Sequence, residues 1–420
     1  MNLKTLISEL DNKWILFYLL LYVSLIIGFI FGENSTGGAI KDYINQKNIA
    51  LDFKGSFYET LFNYDKYNTR HSPVLVIFLS LFEKINLNDF IIRFVHLNLC
   101  LILPFYFYKS LLLIFKNKNI TLFLVALIFI SPTFRSLAIW PDSRLLGLTF
   151  FTISVYEYLK FNKDKRLINC LKNIIFLSIS SYISPNFSLF AIFYFFNFVI
   201  YYRQNLRIVT LIIFLNIILS IPAFIYLFSL ESNFLATAAV KGQNSTSNLF
   251  VNNIFNNVLL IFSIIFFYLI PFSILKIFNL KLNKNIFKLT TITIIIFLIC
   301  IFNFNYKNEY TGGGIIFKLF YVFLETEYLF FLLLIISIFI VLTFSDLKFN
   351  NLILLIILIL SNPQITVYHK YYDPLLLILF FTLFNISINI KNFEKIKNRI
   401  FVFTYFLIFL ILNNLKTYVL

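Results

Sequence analysis

Four groups of polar residues stand out in a chain made mostly of apolar runs, and each has a pattern that could do chemistry. In GENSTGGAIKDY, residues 32–43, Asp42 follows an apolar run by about ten residues. A half-desolvated carboxylate there could take a proton from a hydroxyl as a general base; it could also be a solvated loop acid or the cap of a helix over 43–48. In KYNTRHSPVLVIFLSLFEKI, residues 66–85, Arg70 and His71 precede Ser72-Pro73. Ser as N-cap with Pro at the first helical position predicts a helix start there, which puts Arg70 and His71 at an electropositive helix end where phosphate is favoured. In SPTFRSLAIWPDSRLLGLTF, residues 131–150, Asp142 has the position of an N-cap. Arg135 and Arg144 bring two cations to the same short loop, where they could meet phosphate or carboxylate or snorkel to headgroups. In TVYHKYYDPLLLILFF, residues 366–381, Asp373-Pro374 repeats the cap and first-turn pair, and His369-Lys370 repeats the basic pair. Two basic pairs beside two helix starts could together hold a phosphate or diphosphate.

Other polar residues carry less. Arg93 and His96 in FIIRFVHLNL lie three apart inside an apolar run and are expected to face the interior of a helix bundle. The run TGGGIIFKLF at 311–320 has no Lys-Ser/Thr and is not a P-loop, so it reads as an outer loop. The three His show no metal-binding spacing, and Cys100, Cys170 and Cys300 form no CxxC pair. Asn34 and Asn244 match glycosylation sequons, a chance pattern in an Asn-rich chain.

The elements that must position these residues are membrane spans. Hydrophobic residues make up 60% of the 420 and charged residues 13%, with a mean hydropathy of +0.85, far outside the range of soluble domains. The run 14–32 is long for a signal peptide and is followed by an acid instead of a cleavage site, so it reads as a retained first span. Candidate spans are 14–32, 90–108, 119–133, 144–160, 173–185, 187–202, 208–229, 257–275, 289–304, 328–344, 351–361, 374–390 and 400–415, about 13 in all. The run from Val74 to Phe82 is too short to cross and is read as a helix lying in the outer leaflet. On that count the N-terminus and six connections on one side hold 21 of the 35 Lys and Arg and six of the 19 acids. The net charge of +16 therefore divides as about +15 and about +1 between the two sides, which marks the first as cytoplasmic. Outside lie the loops 33–89, 134–143, 230–256, 305–327 and 362–373. The excess of basic residues thus needs no nucleic-acid partner. The expectation is a single polytopic membrane domain over 1–420, with no repeat and no separate soluble domain.

The order of these features resembles the membrane-integral glycosyltransferases of the GT-C fold: one span, a long outer loop with an Asp, HSP opening a short helix, IIR at the next span, a short loop ending in PDS, and late in the chain HKYYDP. It looks most like the bacterial relatives of the protein mannosyltransferases and of the aminoarabinose transferase of lipid A. The resemblance covers the first 200 residues best and 366–381 next. It implies an all-α integral membrane protein with juxtamembrane helices in the first outer loop. It also implies transfer of a sugar, with inversion, from a polyprenyl-phosphate donor to a hydroxyl of a glycan, lipid or protein at the outer face of a bacterial inner membrane; no cofactor is expected. On this resemblance Asp42 matches the base and Asp142 a second acid, and Arg70, His71, Arg144 and Lys370 match the residues that hold the leaving phosphate. Two departures are plain. Lys41-Asp42 stands where many members have an acidic doublet, which brings in Glu33 and Asp52 as substitute bases, and the soluble C-terminal domain of many members is absent. The alternatives are a polysaccharide polymerase and a lipid-linked oligosaccharide flippase; transporters tend to show inverted repeats and broken midplane helices, whereas the polar residues here gather at one face.

Overall fold

Apolar runs of about 20 residues have no water to satisfy their backbone inside a bilayer, so they close their hydrogen bonds as helices. The computed structural model describes residues 12–67, 69, 71–229, 247–277, 284–307, 312–362, 366–386, 388 and 390–419, and among these every regular element is helical. Helix α1 (Asn12–Ile30) leads into the first loop, which contains α2 (Ala39–Gly55), α3 (Phe57–Phe62), a single turn at Tyr64–Tyr67 and α4 (Pro73–Lys84). Next come α5 (Asp89–Cys100), α6 (Ile102–Ile114), α7 (Lys118–Phe129), α8 (Pro132–Ile139), α9 (Ser143–Asp164), α10 (Leu167–Ile183), α11 (Phe190–Tyr202) and α12 (Leu206–Ser229). The second half contains α13 (Ser247–Ile277), α14 (Lys284–Ile301), α15 (Gly314–Phe323), α16 (Glu327–Ser345), α17 (Phe349–Leu360), α18 (Leu375–Phe381) and α19 (Ile396–Val419).

Seven helical segments are long and apolar enough to cross a membrane: Asn12–Ile30, Asp89–Ile114, Pro185–Tyr202, Leu206–Tyr226, Asn253–Ile274, Glu327–Ser345 and Ile396–Leu415. An eighth arises if α7 and α8, bent by 59° at their junction, form one broken span. The chain is an all-helical integral membrane protein. The break follows from Pro132, which has no N–H to give to the preceding turn and holds Ser131 in an extended conformation. Several segments expected to span are short. Most differ at 374–390, where α18 is seven residues long and the backbone then leaves the helix. Asn351 satisfies that irregular backbone, accepting from Asn385 N at 2.9 Å and donating to Asn385 O at 3.1 Å.

The helix predicted at Ser72-Pro73 is α4, 12 residues and so about 18 Å long, well under the roughly 30 Å of a hydrocarbon core. Ser72 caps it, accepting from Val74 N and donating to Tyr182 O. Its apolar face packs on the first loop's own helix: Leu75, Val76 and Leu79 meet Tyr43, Ala50 and Phe53 of α2, with Leu146 of α9 and Ile183 of α10 beneath them. This small core seats the loop on the bundle. The main core runs through α9 and α13. Gly147 lets α9 and α10 approach closely: Ser180 donates to its carbonyl at 2.8 Å, and a Cβ there would stand 2.7 Å from the Ser184 Cβ.

Candidate functional site

The site is built around the bend after α8. A helix of eight residues ends with several orphan carbonyls and needs donors for them. Two come from α5: His96 Nδ1–H donates to Ala138 O at 3.1 Å, and Arg93 Nε to Ile139 O at 3.1 Å. The Arg93 guanidinium then lies 3.5 Å from the Trp140 ring, and Trp140 Nε1 donates to Glu33 O at 3.0 Å. The expectation that Arg93 and His96 turn inward is met, and their work there is to hold the end of α8 and the chain that leads to Asp142.

Inside α8, Arg135 makes a two-pronged ion pair with Glu33, Nε to Oε1 at 2.8 Å and Nη2 to Oε2 at 2.6 Å, and also donates to Ser24 O at 2.8 Å. Gly28 makes room for this, since a Cβ there would lie 2.3 Å from Glu33 Oε2 and 3.0 Å from Arg135 Nη2. The chain after Glu33 is tied to the same helix: Ser35 Oγ donates to Pro132 O at 2.7 Å, and Thr36 and Ser136 share a hydrogen bond of 3.0 Å. Asn34, one of the sequon residues, accepts from Ala39 N at 3.1 Å and so anchors the start of α2. Asp42 therefore lies within the first turns of α2 and does not cap it, which corrects the reading of a cap for a helix over 43–48.

The Asp42 carboxylate receives Lys370 Nζ at 2.7 Å, across 328 residues of sequence. Both side chains keep some exposure, 30% and 15% respectively. Next to Lys370, Tyr371 carries the Arg144 guanidinium 3.9 Å from its ring centre. Asp142 caps α9, its Oδ1 accepting from Arg144 N at 2.7 Å, while its buried Oδ2 and Arg144 Nη1 have no hydrogen-bond partner. Burial alone would raise the Asp142 pKa, but the charges of Arg144 and Lys370 help to bring it below the ordinary carboxylate value. His71 Nδ1 shares a 2.8 Å hydrogen bond with Ser143 Oγ. Burial holds its imidazole below the usual histidine range; Asp142 opposes this and Arg144 adds to it, so His71 is neutral at neutral pH. Between Arg144, Lys370, Thr133 and Phe187 lies a cavity of about 10 Å³, room for about one water.

Five of the six residues singled out from sequence thus meet at one end of the bundle: Asp42, His71, Asp142, Arg144 and Lys370. Arg70 lies outside the described residues, as does Asn244. Two expectations for the late loop are corrected. Asp373 does not cap its own helix, because Ser131 Oγ donates to its Oδ2 at 2.7 Å and Thr133 N at 3.0 Å, so it serves the start of α8. His369 is not half of a basic pair at the site. It stacks on Tyr268 at 5.3 Å, shares a 3.1 Å hydrogen bond with its hydroxyl, and burial pushes its pKa down to about 3. Asp52, a substitute base, lies ten residues farther along α2, about 15 Å away, and accepts from Tyr67 at 2.6 Å. Sequence reasoning missed the Glu33–Arg135 pair and the stacking role of Tyr371. It also missed Gln46, one helical turn after Asp42, which is 1% exposed with neither amide atom bonded. The spacing of four from Asp42 was the available signal for Gln46. Comparison of the chain with protein-family models, with characterised proteins and with solved structures found no significant match.

Proposed function

We propose that the chain is a membrane glycosyltransferase of GT-C type, moving a sugar from a polyprenyl-phosphate donor to a hydroxyl acceptor. The observation that carries this reading is the Asp42–Lys370 pair beside Arg144 and Asp142: a carboxylate from the first loop and cations from two later ones, all at one end of a helical bundle. The pair rests on one contact and keeps some exposure, and a phosphate, itself an anion, can replace Asp42 as the partner of Lys370. Asp42 is then free to accept a proton. In the displacement, the acceptor oxygen bonds to the anomeric carbon while the bond from that carbon to the phosphate oxygen breaks. The phosphate leaves with the bonding pair, held by Lys370 and the unpaired arm of Arg144, and the hydroxyl proton passes to Asp42. The attack comes from the face opposite the leaving group, which inverts the centre. Asp142, kept ionised by its cations, orients Arg144, and neutral His71 offers one hydrogen bond.

Among the described residues, Lys370 and Arg144 stand beside Asp42 and Asp142, a balance that suits a leaving group of low charge such as a monophosphate. The charge asymmetry supports a site on the extracytoplasmic side of a bacterial inner membrane, with residues 33–89 outside. The scheme uses no cofactor. The test is an assay of purified protein with monosaccharide-phosphate and diphosphate-linked polyprenyl donors. Transfer from the first and not the second supports the reading; transfer from the diphosphate donor alone assigns a polymerase, and binding of neither rejects both.

A further inference from the structure

A second cavity of about 610 Å³ lies at the end of the bundle opposite Asp42. Helix α9 gives the separation: Arg144 is near its start and Asn162, which lines the cavity, is 18 residues on, about 27 Å away. Its volume is that of a ligand site, and its lining residues are mostly apolar, among them Phe115, Tyr158, Phe193, Phe349 and Phe384, with Asn162, Asn350 and Asn385 adding polar surface. Part of the wall is the non-helical backbone after α18, where the helix ends well before the expected span does. Irregular backbone in a membrane protein is tolerated where it is covered or lines a cavity, and Asn351 holds it in place here.

The charge around the mouth favours one class of occupant. Lys348 lines the cavity and its side chain is 48% exposed, loosely paired with Asp346 at 3.6 Å. Lys116 and Lys163, both exposed, directly follow the lining residues Phe115 and Asn162, with Asp164 the nearby acid. Lys348, Lys116 and Lys163 belong to the set of N-terminus and six connections that the charge count puts on one side, with 21 basic residues against six acids. We infer that this cavity binds an anionic phospholipid, with an acyl chain among the aromatic rings and the headgroup phosphate at Lys348. A basic pocket between helices with an apolar interior recognises both parts of such a lipid, whereas a water-soluble anion would leave the aromatic wall without a partner.

The test is native mass spectrometry of the full-length protein in detergent, titrated with phosphatidylglycerol or phosphatidylcholine. One phosphatidylglycerol should bind saturably and ahead of phosphatidylcholine. Lys348→Ala should weaken it about fivefold, the effect of one lysine near an anionic headgroup, and Lys348→Arg should retain it. Thr382→Trp, which places an indole in the cavity, should abolish it while the thermal midpoint stays near that of the parent. Equal binding of the two phospholipids, or unchanged binding in both Lys348→Ala and Thr382→Trp, would overturn the inference. So would displacement of phosphatidylglycerol by a polyprenyl phosphate at lower concentration, which would assign the cavity to an isoprenoid lipid. The readout is lipid occupancy, so the result is independent of whether the protein transfers sugars.

Discussion

Asp42 and Glu33 come from the same loop and differ in what it takes to free them. Glu33 is locked to Arg135 with both side chains nearly buried, 10% and 7% exposed, and breaking such a pair costs roughly 3 to 5 kcal/mol. The Asp42–Lys370 pair is more open and held by a single contact, so it costs less to part, and Asp42 is the carboxylate able to change partners. Asp42→Asn should bind a polyprenyl-phosphate sugar like the parent and lose about a hundredfold to ten-thousandfold in turnover; near-normal turnover would remove Asp42 from the base role. Lys370→Ala should weaken donor affinity by about 1.5 to 3 kcal/mol, and unchanged affinity would return Lys370 to a structural role. Acid should act on the site through His71, and on the bundle through His369, whose pKa is lowered as well. The folded pKa of His71 is lowered, so its contribution to stability is complete above the unfolded value of about 6.5 and is lost as pH falls through the folded one. Asp142 is also lowered, and its contribution survives until pH falls below about 3.9. Thermal midpoints measured from pH 7.5 to 5 should fall more steeply for the parent than for His71→Gln, in which the part due to His369 remains; parallel curves would show that His71 contributes nothing to the acid sensitivity.

At the scale of elements, the site depends on α8, a helix too short to stand alone. Its start is held by Asp373, its middle by Glu33 and its end by His96 and Arg93. Arg135→Met should lower stability by about 3 to 5 kcal/mol by leaving Glu33 buried without a partner, and adding Glu33→Gln should recover part of that. Gly28→Ala tests the same joint from the other side, since its methyl would occupy the place of Glu33 Oε2. Thermal unfolding of the purified variants measures all three. A midpoint for Arg135→Met within a degree of the parent would show that the pair does not hold α8.

For the whole molecule, the first loop decides the topology. Because α4 rests on α2 and is too short to cross, residues on either side of it are predicted to share one side of the membrane. Cysteines placed at the exposed positions Asn45 and Asn86 should therefore react with an impermeant reagent from the outside in both cases. Reaction of Asn86→Cys only after the membrane is opened would make α4 a crossing helix and reverse every later connection.

Some of this was legible before any coordinates. Helical class and membrane residence follow from apolar runs alone, because a bilayer leaves the backbone no other partner. The start of α4 was readable because Ser72-Pro73 acts over two residues, and Asp142 as the cap of α9 for the same reason. Local rules failed where a side chain had a distant partner to choose. Asp373 has the sequence of a cap for its own helix, yet Ser131 and Thr133, some 240 residues earlier, supply its hydrogen bonds. His369 beside Lys370 reads as a basic pair, and only packing against Tyr268 strips it of charge. Which carboxylate of the first loop stays available was likewise decided in three dimensions: Glu33 and Asp42 are alike as residues, and the difference lies in Arg135 and Lys370, groups that only the folded bundle brings to them.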